Sequence, residues 1–189
     1  MIEKAMQFTN DVLNQFLRNK FGLEERNVLI NSLVEADGSI PKINQNKLII
    51  SLINIVQETN KQYYNTSRKI ENGNYSNVHP TERYNLDILM AANFDDYKES
   101  LKFLNAGIQF FQSNPSLDAK KYSSFPTELN KLEFEIEKIS YHQMHSLWTA
   151  MGAKYQPSVI YKMRLVSVQS EETTAFTSAV NQIENSAAV

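Results

Sequence analysis

The sequence predicts an α+β (mixed α/β) domain in which a mostly antiparallel central sheet of four to five strands is flanked by about three helices. Three observations lead there. Residues 2–21 carry apolar side chains at helical spacing. From residue 27 the period changes to two, and it does so again in several later segments. Between those segments, Asp95-Asp96 and Ser140 each open a stretch that begins with helix-start chemistry. At 189 residues the chain suits one domain with a sizeable core and is short for two. It shows no internal repeat and no linker. The expected division is one domain over 1–168 and a C-terminal tail over 169–189.

In order along the chain, Met6, Phe8, Val12, Leu13, Phe16 and Leu17 form the apolar stripe of the first helix, and Gly22 is its stop. Asn10, Asp11, Asn14, Gln15 and Arg18 fill much of the other face. "NVLINSLVE" (27–35) and "KLIISLINIVQE" (47–58) read as strands separated by the turn pair Asp37-Gly38. The second is apolar on both faces, which predicts a central strand covered on both sides. Residues 59–82 are polar and Asn-rich, a long excursion that is either a loop or a poorly buried hairpin.

"RYNLDILMAANF" (83–94) is a third strand, with Tyr84, Leu86, Ile88 and Met90 on one face. The helix after Asp96 carries Tyr97, Leu101, Leu104, Ile108 and Phe111 at i, i+4, i+7 spacing and ends at Asn114-Pro115. A polar connection over 115–130 leads to "LEFEIEK" (132–138), the cleanest alternation in the chain. It predicts one buried face and one face that is wet or meets a basic partner. Ser140 with Gln143 makes a capping box, Ile139 and Met144 a hydrophobic staple, and Gly152 a left-handed cap. Leu147, Trp148 and Met151 are expected in the core. Pro157 suits the start of the strand 158–168, where Val159, Tyr161, Met163 and Leu165 oppose Lys162 and Arg164. In the tail, Phe176, Val180 and Ile183 have the spacing of a short amphipathic helix.

The totals narrow the function. Net charge is −2, so no basic excess exists to neutralise a phosphate backbone, and nucleic acid is not expected as the main partner. The chain contains no Cys, which excludes disulfides, thiolate metal sites and a Cys nucleophile. No apolar run approaches the length of a membrane helix, and the first residues do not read as a secretory signal, so a soluble protein made in the cytoplasm is expected. His142 and His145 lie three apart at a helix start without a carboxylate motif, which reads as surface and not as a metal site. Glu133, Glu135 and Glu137 are accounted for by strand alternation. The five Gly are scattered, and neither a phosphate-cradling loop nor a G-x-S-x-G elbow can be built from them. The residues therefore give no catalytic, cofactor or metal site, and a non-enzyme is expected. "KQYYNTSRK" (61–69) sets Arg68 and Lys69 beside Tyr63 and Tyr64, which either stack on bases or simply decorate an exposed loop. A nucleic-acid or small-ligand binding module using 59–82 is the alternative function.

The order Leu147-Trp148, Gly152, Tyr155, Pro157-Ser158, Tyr161, Lys162 and Arg164 resembles the C-terminal part of the cap, or tail-terminator, proteins of contractile injection systems. These are the headless phage-tail-like particles of the antifeeding-prophage and Photorhabdus virulence cassette type. "AMQFTNDVLNQFL", "IISLINIV" and "HPTERYNLDILMAANFDDYKESLKFLNAGIQFFQSNP" also resemble that family's core, so the likeness covers roughly 1–168. The 59–82 excursion matches no family motif, and the tail is shorter than in some relatives.

The resemblance implies a structural cap. Six copies would form a ring that binds the distal end of the inner tube and the last sheath layer, ends elongation and stabilises the extended sheath. Its implied partners are itself, as a homo-hexamer, the inner tube protein and the sheath protein, with no membrane and no catalytic residue. The particle would be assembled in the cytoplasm and could then leave the cell. Candidate adhesive parts are the 59–82 excursion with Tyr63, Tyr64, Arg68 and Lys69, the 115–130 connection, and the tail with Phe176. Lys154, Tyr155, Lys162 and Arg164 are either a further adhesive patch or a solvated sheet face.

Overall fold

A computed structural model describes residues 1–58, 67–69, 75–78, 82–168 and 173–177, with backbone alone at 67–69, 75–78, 82, 165–168 and 173–177. In chain order the elements are α1 (Ile2–Phe21), β1 (Val28–Ile30), β2 (Lys47–Gln57), β3 (Ser67–Lys69), β4 (Tyr75–Val78), β5 (Glu82–Asn93), α2 (Tyr97–Ser113), β6 (Ser116–Asp118), β7 (Lys131–Ile136), α3 (Tyr141–Met151), β8 (Ser158–Val168) and β9 (Thr173–Thr177). A six-stranded sheet runs β1-β2-β5-β8-β7-β6, and β3-β4-β9 make a second, three-stranded sheet. In the large sheet only β1 and β2 are parallel, so it is mostly antiparallel as expected.

Helices cover both faces of the large sheet. On one face, α1 and α2 pack against Leu48, Ile50, Leu86, Ile88, Met90 and Met163. On the other, α3 lays Trp148 on Ile49, Leu89, Ala91 and Ile160. The caps form as the sequence predicts. The side chain of Asp96 accepts from Lys98 N–H, Ser140 and Gln143 close a capping box, and Gly22 and Gly152 take left-handed conformations that only Gly adopts freely.

Several boundaries differ from the sequence expectation. The sheet has six strands, not four to five, because three-residue β6 lies inside the stretch expected as the 115–130 connection. β1 stops at Ile30 instead of running to 35. There Asn31 turns its side chain to Asn44 Oδ1, and Asn44 in turn donates to Ser32 C=O, which folds the chain away from the sheet. β2 is covered on both faces only from Leu48 to Ser51, and its second half lies open. In α2 the buried stripe is Ser100, Phe103, Ala106, Gly107, Phe110 and Phe111, while Tyr97 and Leu101 are exposed. Small residues decide this. A Cβ on Gly107 would lie 2.7 Å from Met90 Sδ, so the Gly face is the one that can approach β5. Residues 173–177 form a strand paired with β4, where Phe176 had suggested a helix; Val180 and Ile183 lie outside the described residues.

Asn10 and Asn14, expected on the polar face of α1, are buried. Asn14 Nδ2 donates to Val28 C=O at 2.8 Å, and its Oδ1 accepts from Asn27 N–H and Val28 N–H at 3.0 and 2.9 Å. One amide side chain thus satisfies the outer edge of β1 and fastens it to α1.

Candidate assembly surface

The carboxylates expected on a wet strand face meet cations of the same sheet. Glu137 accepts from Lys162 at 2.7 Å, Glu135 from Arg164 at 2.5 Å, and Glu133 from Lys131 at 2.6 Å. The contacts to β8 are diagonal: the register sets Glu133 opposite Arg164 and Glu135 opposite Lys162, and each cation reaches the Glu two residues further along β7. The bond from Glu137 raises the pKa of the Lys162 ammonium above its ordinary range, and Asp87, opposite it on β5, adds to the effect. The "basic partner" that the alternation of β7 left open is therefore β8, along with Lys131. Lys162 and Arg164 are not free to collect an anionic ligand without losing these pairs.

The structure separates the four residues of that expected patch. Lys154 and Tyr155 lie on the loop after α3 and both are exposed, with the Tyr155 ring 5.4 Å from Trp148. Lys162 and Arg164 lie on the open half of the sheet face that α3 does not reach. Tyr63 and Tyr64 fall outside the described residues, as does His79. Arg68 and Lys69 lie on β3 and Phe176 on β9, and the register brings these strands to opposite sides of β4. The 59–82 excursion therefore contains a hairpin whose second strand is joined by the chain's tail.

Side chains that converge for chemistry are not found among the described residues. His142 and His145 are exposed, and among the described residues no group of three or more His, Asp or Glu is placed to hold a metal. Two shallow clefts flank β2 where β1 ends. One lies against α1 at Glu3 and Met6, the other against α3 at Leu147 and Met151, and both are mainly apolar. No described helix is long and apolar enough to cross a membrane.

The feature that the sequence reading passed over is the edge of β2. After Ser51, whose hydroxyl donates to Asn31 C=O, no described strand pairs with its outer side, because β1 has ended. Leu52, Ile55 and Val56 are 38%, 44% and 43% exposed there. At the other end of the sheet β6 pairs with β7 through Glu133, Pro115 C=O accepts from Phe134 N–H at 2.9 Å, and Ile136 beyond them is 49% exposed. An uncharged, proline-free, apolar strand edge is one that folded proteins normally cover. The signal was present in "LINIVQ", but hydrophobic composition alone does not tell a buried strand from an uncovered edge.

An α+β domain with helices on both sheet faces, apolar strand edges and self-paired charges has the makings of an assembly protein. The chain belongs to the family described as the Pvc16 N-terminal domain, whose model matches residues 9–182. Its fold is similar to that of the sheath/tube terminator of the extracellular contractile injection system PVC in the extended state, with a TM-score of 0.65 and 10% identity over 100% of this chain and 64% of that one. It is also similar to the anti-feeding prophage cap, a tube-terminating cap, with a TM-score of 0.59 and 10% identity over 93% of this chain and 58% of that one. The chain thus spans under two thirds of the length of either structure. At that identity the likeness is one of fold. No curated protein gives a significant sequence match.

Proposed function

We propose that this chain is a non-catalytic cap of a phage-tail-like contractile injection particle. Copies of it form a ring on the distal end of the inner tube and against the last sheath layer, where they end elongation and hold the sheath extended. Six copies suit a six-fold tube, and assembly takes place in the cytoplasm. The observation that carries the reading is the family match over 9–182 joined to a fold shared along the whole chain with a sheath/tube terminator. The physical logic is that a growing tube ends in a surface that templates another ring. A terminator has to complement that surface on one side and fail to repeat it on the other.

The test is a mass measurement of the purified chain alone and with the tube protein of its particle. A ring is expected in at least the second case, and a monomer in both would overturn the reading. Particles made without the chain should be irregular in length or already contracted. Particles of normal length that remain able to fire would remove the capping role. We further propose that 1–168 is the folding unit and 169–189 an attachment segment. Deleting 170–189 should then weaken attachment to the particle and leave the melting transition in place, whereas an unfolded truncation would assign the tail to the core.

A further inference from the structure

We propose that residues 32–34 are a strap that closes on the open edge of β2, continuing β1 past Ile30 and covering the edge from within the same chain. The inference concerns the single chain, so it goes beyond the ring reading and does not depend on it.

The sequence carries a longer strand than the structure forms. "NVLINSLVE" has strand character through residue 35, yet β1 ends at Ile30. The side chains stay in phase beyond that end. Val28 packs on the side of α1 and α2, whereas Leu29 and Leu33 pack in the cluster beneath α3, together with Ile53. Leu33 therefore sits on the face that a continued β1 would give it. Ser32, Leu33 and Val34 line the cleft beside α3 together with Ser51, Leu52 and Ile53, so the strap stands next to the edge it would cover.

The ladder stops one rung short of this. Leu48 N–H donates to Asn27 C=O at 2.8 Å, and Asn31 N–H donates to Ile50 C=O at 3.3 Å. In a parallel pair the next rung sets Leu52 N–H on Asn31 C=O, and Leu33 N–H on Leu52 C=O. Side chains intervene. The Ser51 hydroxyl donates to Asn31 C=O and takes the place of Leu52 N–H. Asn31 Oδ1 accepts from Ser32 N–H at 3.0 Å and curls the chain at the first residue of the strap. Asn31 Nδ2 donates to Asn44 Oδ1 and Asn44 Nδ2 to Ser32 C=O, both at 2.8 Å. Asn44 is buried and its own C=O accepts from Asn93 Nδ2, so the latch is anchored to the end of β5.

Closure gives up the Ser51 and Ser32 bonds to Asn31 and gains the two ladder bonds. An exchange of similar numbers of bonds is what a two-state element requires. It also brings Val34, in phase with Val28, over Leu52 and Ile55, whose rows face α1 and α2. With Ile53 as the extra residue of the bulge, the register sets Val34 opposite Ile55. Such a strap has a purpose. An uncovered apolar edge pairs with any strand it meets, and a free chain is protected when its own residues occupy that edge. Opening the strap then hands the edge to a partner.

The absence of Cys makes the test direct. In the full chain at high dilution, Val34→Cys with Ile55→Cys should form a disulfide within the chain under mild oxidation, read by intact mass. Adding Ser51→Ala frees Asn31 C=O for Leu52 N–H and should speed that disulfide about two- to tenfold, the equilibrium weight of one hydrogen bond. No disulfide, one that forms only between chains, or one no faster with Ser51→Ala would overturn the proposal. A second measurement uses the Cys-free chain. Ser51→Ala alone should slow amide exchange at Leu33 and Leu52, whereas the mere loss of a bond would speed it. Exchange there that is unchanged or faster would also overturn the strap. None of these results bears on whether copies form a ring with tube protein, which the mass measurement above decides separately.

Discussion

The two halves of β2 are nearly alike in composition and opposite in fate. Leu48–Ser51 is buried on both faces, under α1 and α2 on one side and Trp148 of α3 on the other, with β1 along its edge. Leu52–Gln57 continues the same Ile- and Leu-rich strand, but helices no longer cover both faces and the outer edge is open. The first half belongs to the core, and the second lies open. The lesson is that apolar character tells which strands must be covered but leaves open whether the cover comes from the same chain.

This comparison is sharpened by substitutions in the covered half. Leu89→Ala removes a fully buried side chain beneath α3 and should cost about 2–5 kcal/mol, read as a lower urea midpoint. The matching change in the open half, Ile55→Ala, should cost roughly 1 kcal/mol or less in the monomer, since Ile55 is already 44% exposed. Equal losses at the two sites would break the division. Asn14→Leu should be nearly as costly as the first. It leaves the backbone N–H and C=O of Val28 without their partner, at about 1–3 kcal/mol for each buried group. Hydrogen exchange should show β1 opening first.

The boundary between the halves has a titration signature. Tyr161 packs 4.4 Å from Phe111 and is almost fully buried, and burial pushes its phenol up to about 12. The folded state favours the neutral form, so its contribution is complete below the unfolded pKa of about 10 and is lost as pH rises from there toward 12. Alkaline unfolding should therefore steepen in that window. Tyr161→Phe, which keeps the ring, should flatten it by roughly 2 kcal/mol, followed as stability against pH.

The helices were legible because their signals are local. Gly22, Asp96, the Ser140–Gln143 box and Gly152 each act within a few residues, and each fulfils its expected role. The strands were legible as strands, yet their ends were not. The end of β1 is set by Asn31 reaching Asn44, a contact made across 13 positions. The buried face of α2 was misplaced because the large side chains Tyr97 and Leu101 suggested one stripe, while the close approach allowed by Gly107 selects another. Buried Asn10 and Asn14 could not be told from ordinary polar-face residues without knowing that β1 lies beside them. Of the basic candidates, Lys162 and Arg164 are held by Glu137 and Glu135, while Lys154 is exposed. The uncharged edge of β2 had been read as core, because its exposure is a fact about neighbours that the sequence does not supply.

The smallest effect tests whether the open half is also electrostatically closed. Lys162 and Glu137 form a partly exposed pair, with side-chain exposures of 23% and 34%, and the pKa of Lys162 is raised chiefly by that hydrogen bond. A raised lysine stabilises the fold below the unfolded pKa of about 10.4, and the contribution fades as pH climbs past it. Exposed and half-exposed pairs contribute little, so Lys162→Met should cost no more than about 1 kcal/mol at neutral pH. The loss should shrink with salt and vanish at strongly alkaline pH, where the parent chain has lost the pair too. If the cost were instead several kcal/mol and insensitive to salt, this face would be folding core and not the wet surface that Glu133, Glu135 and Glu137 predict. A near-neutral result would mean that these charges mainly quench one another and add little to the fold.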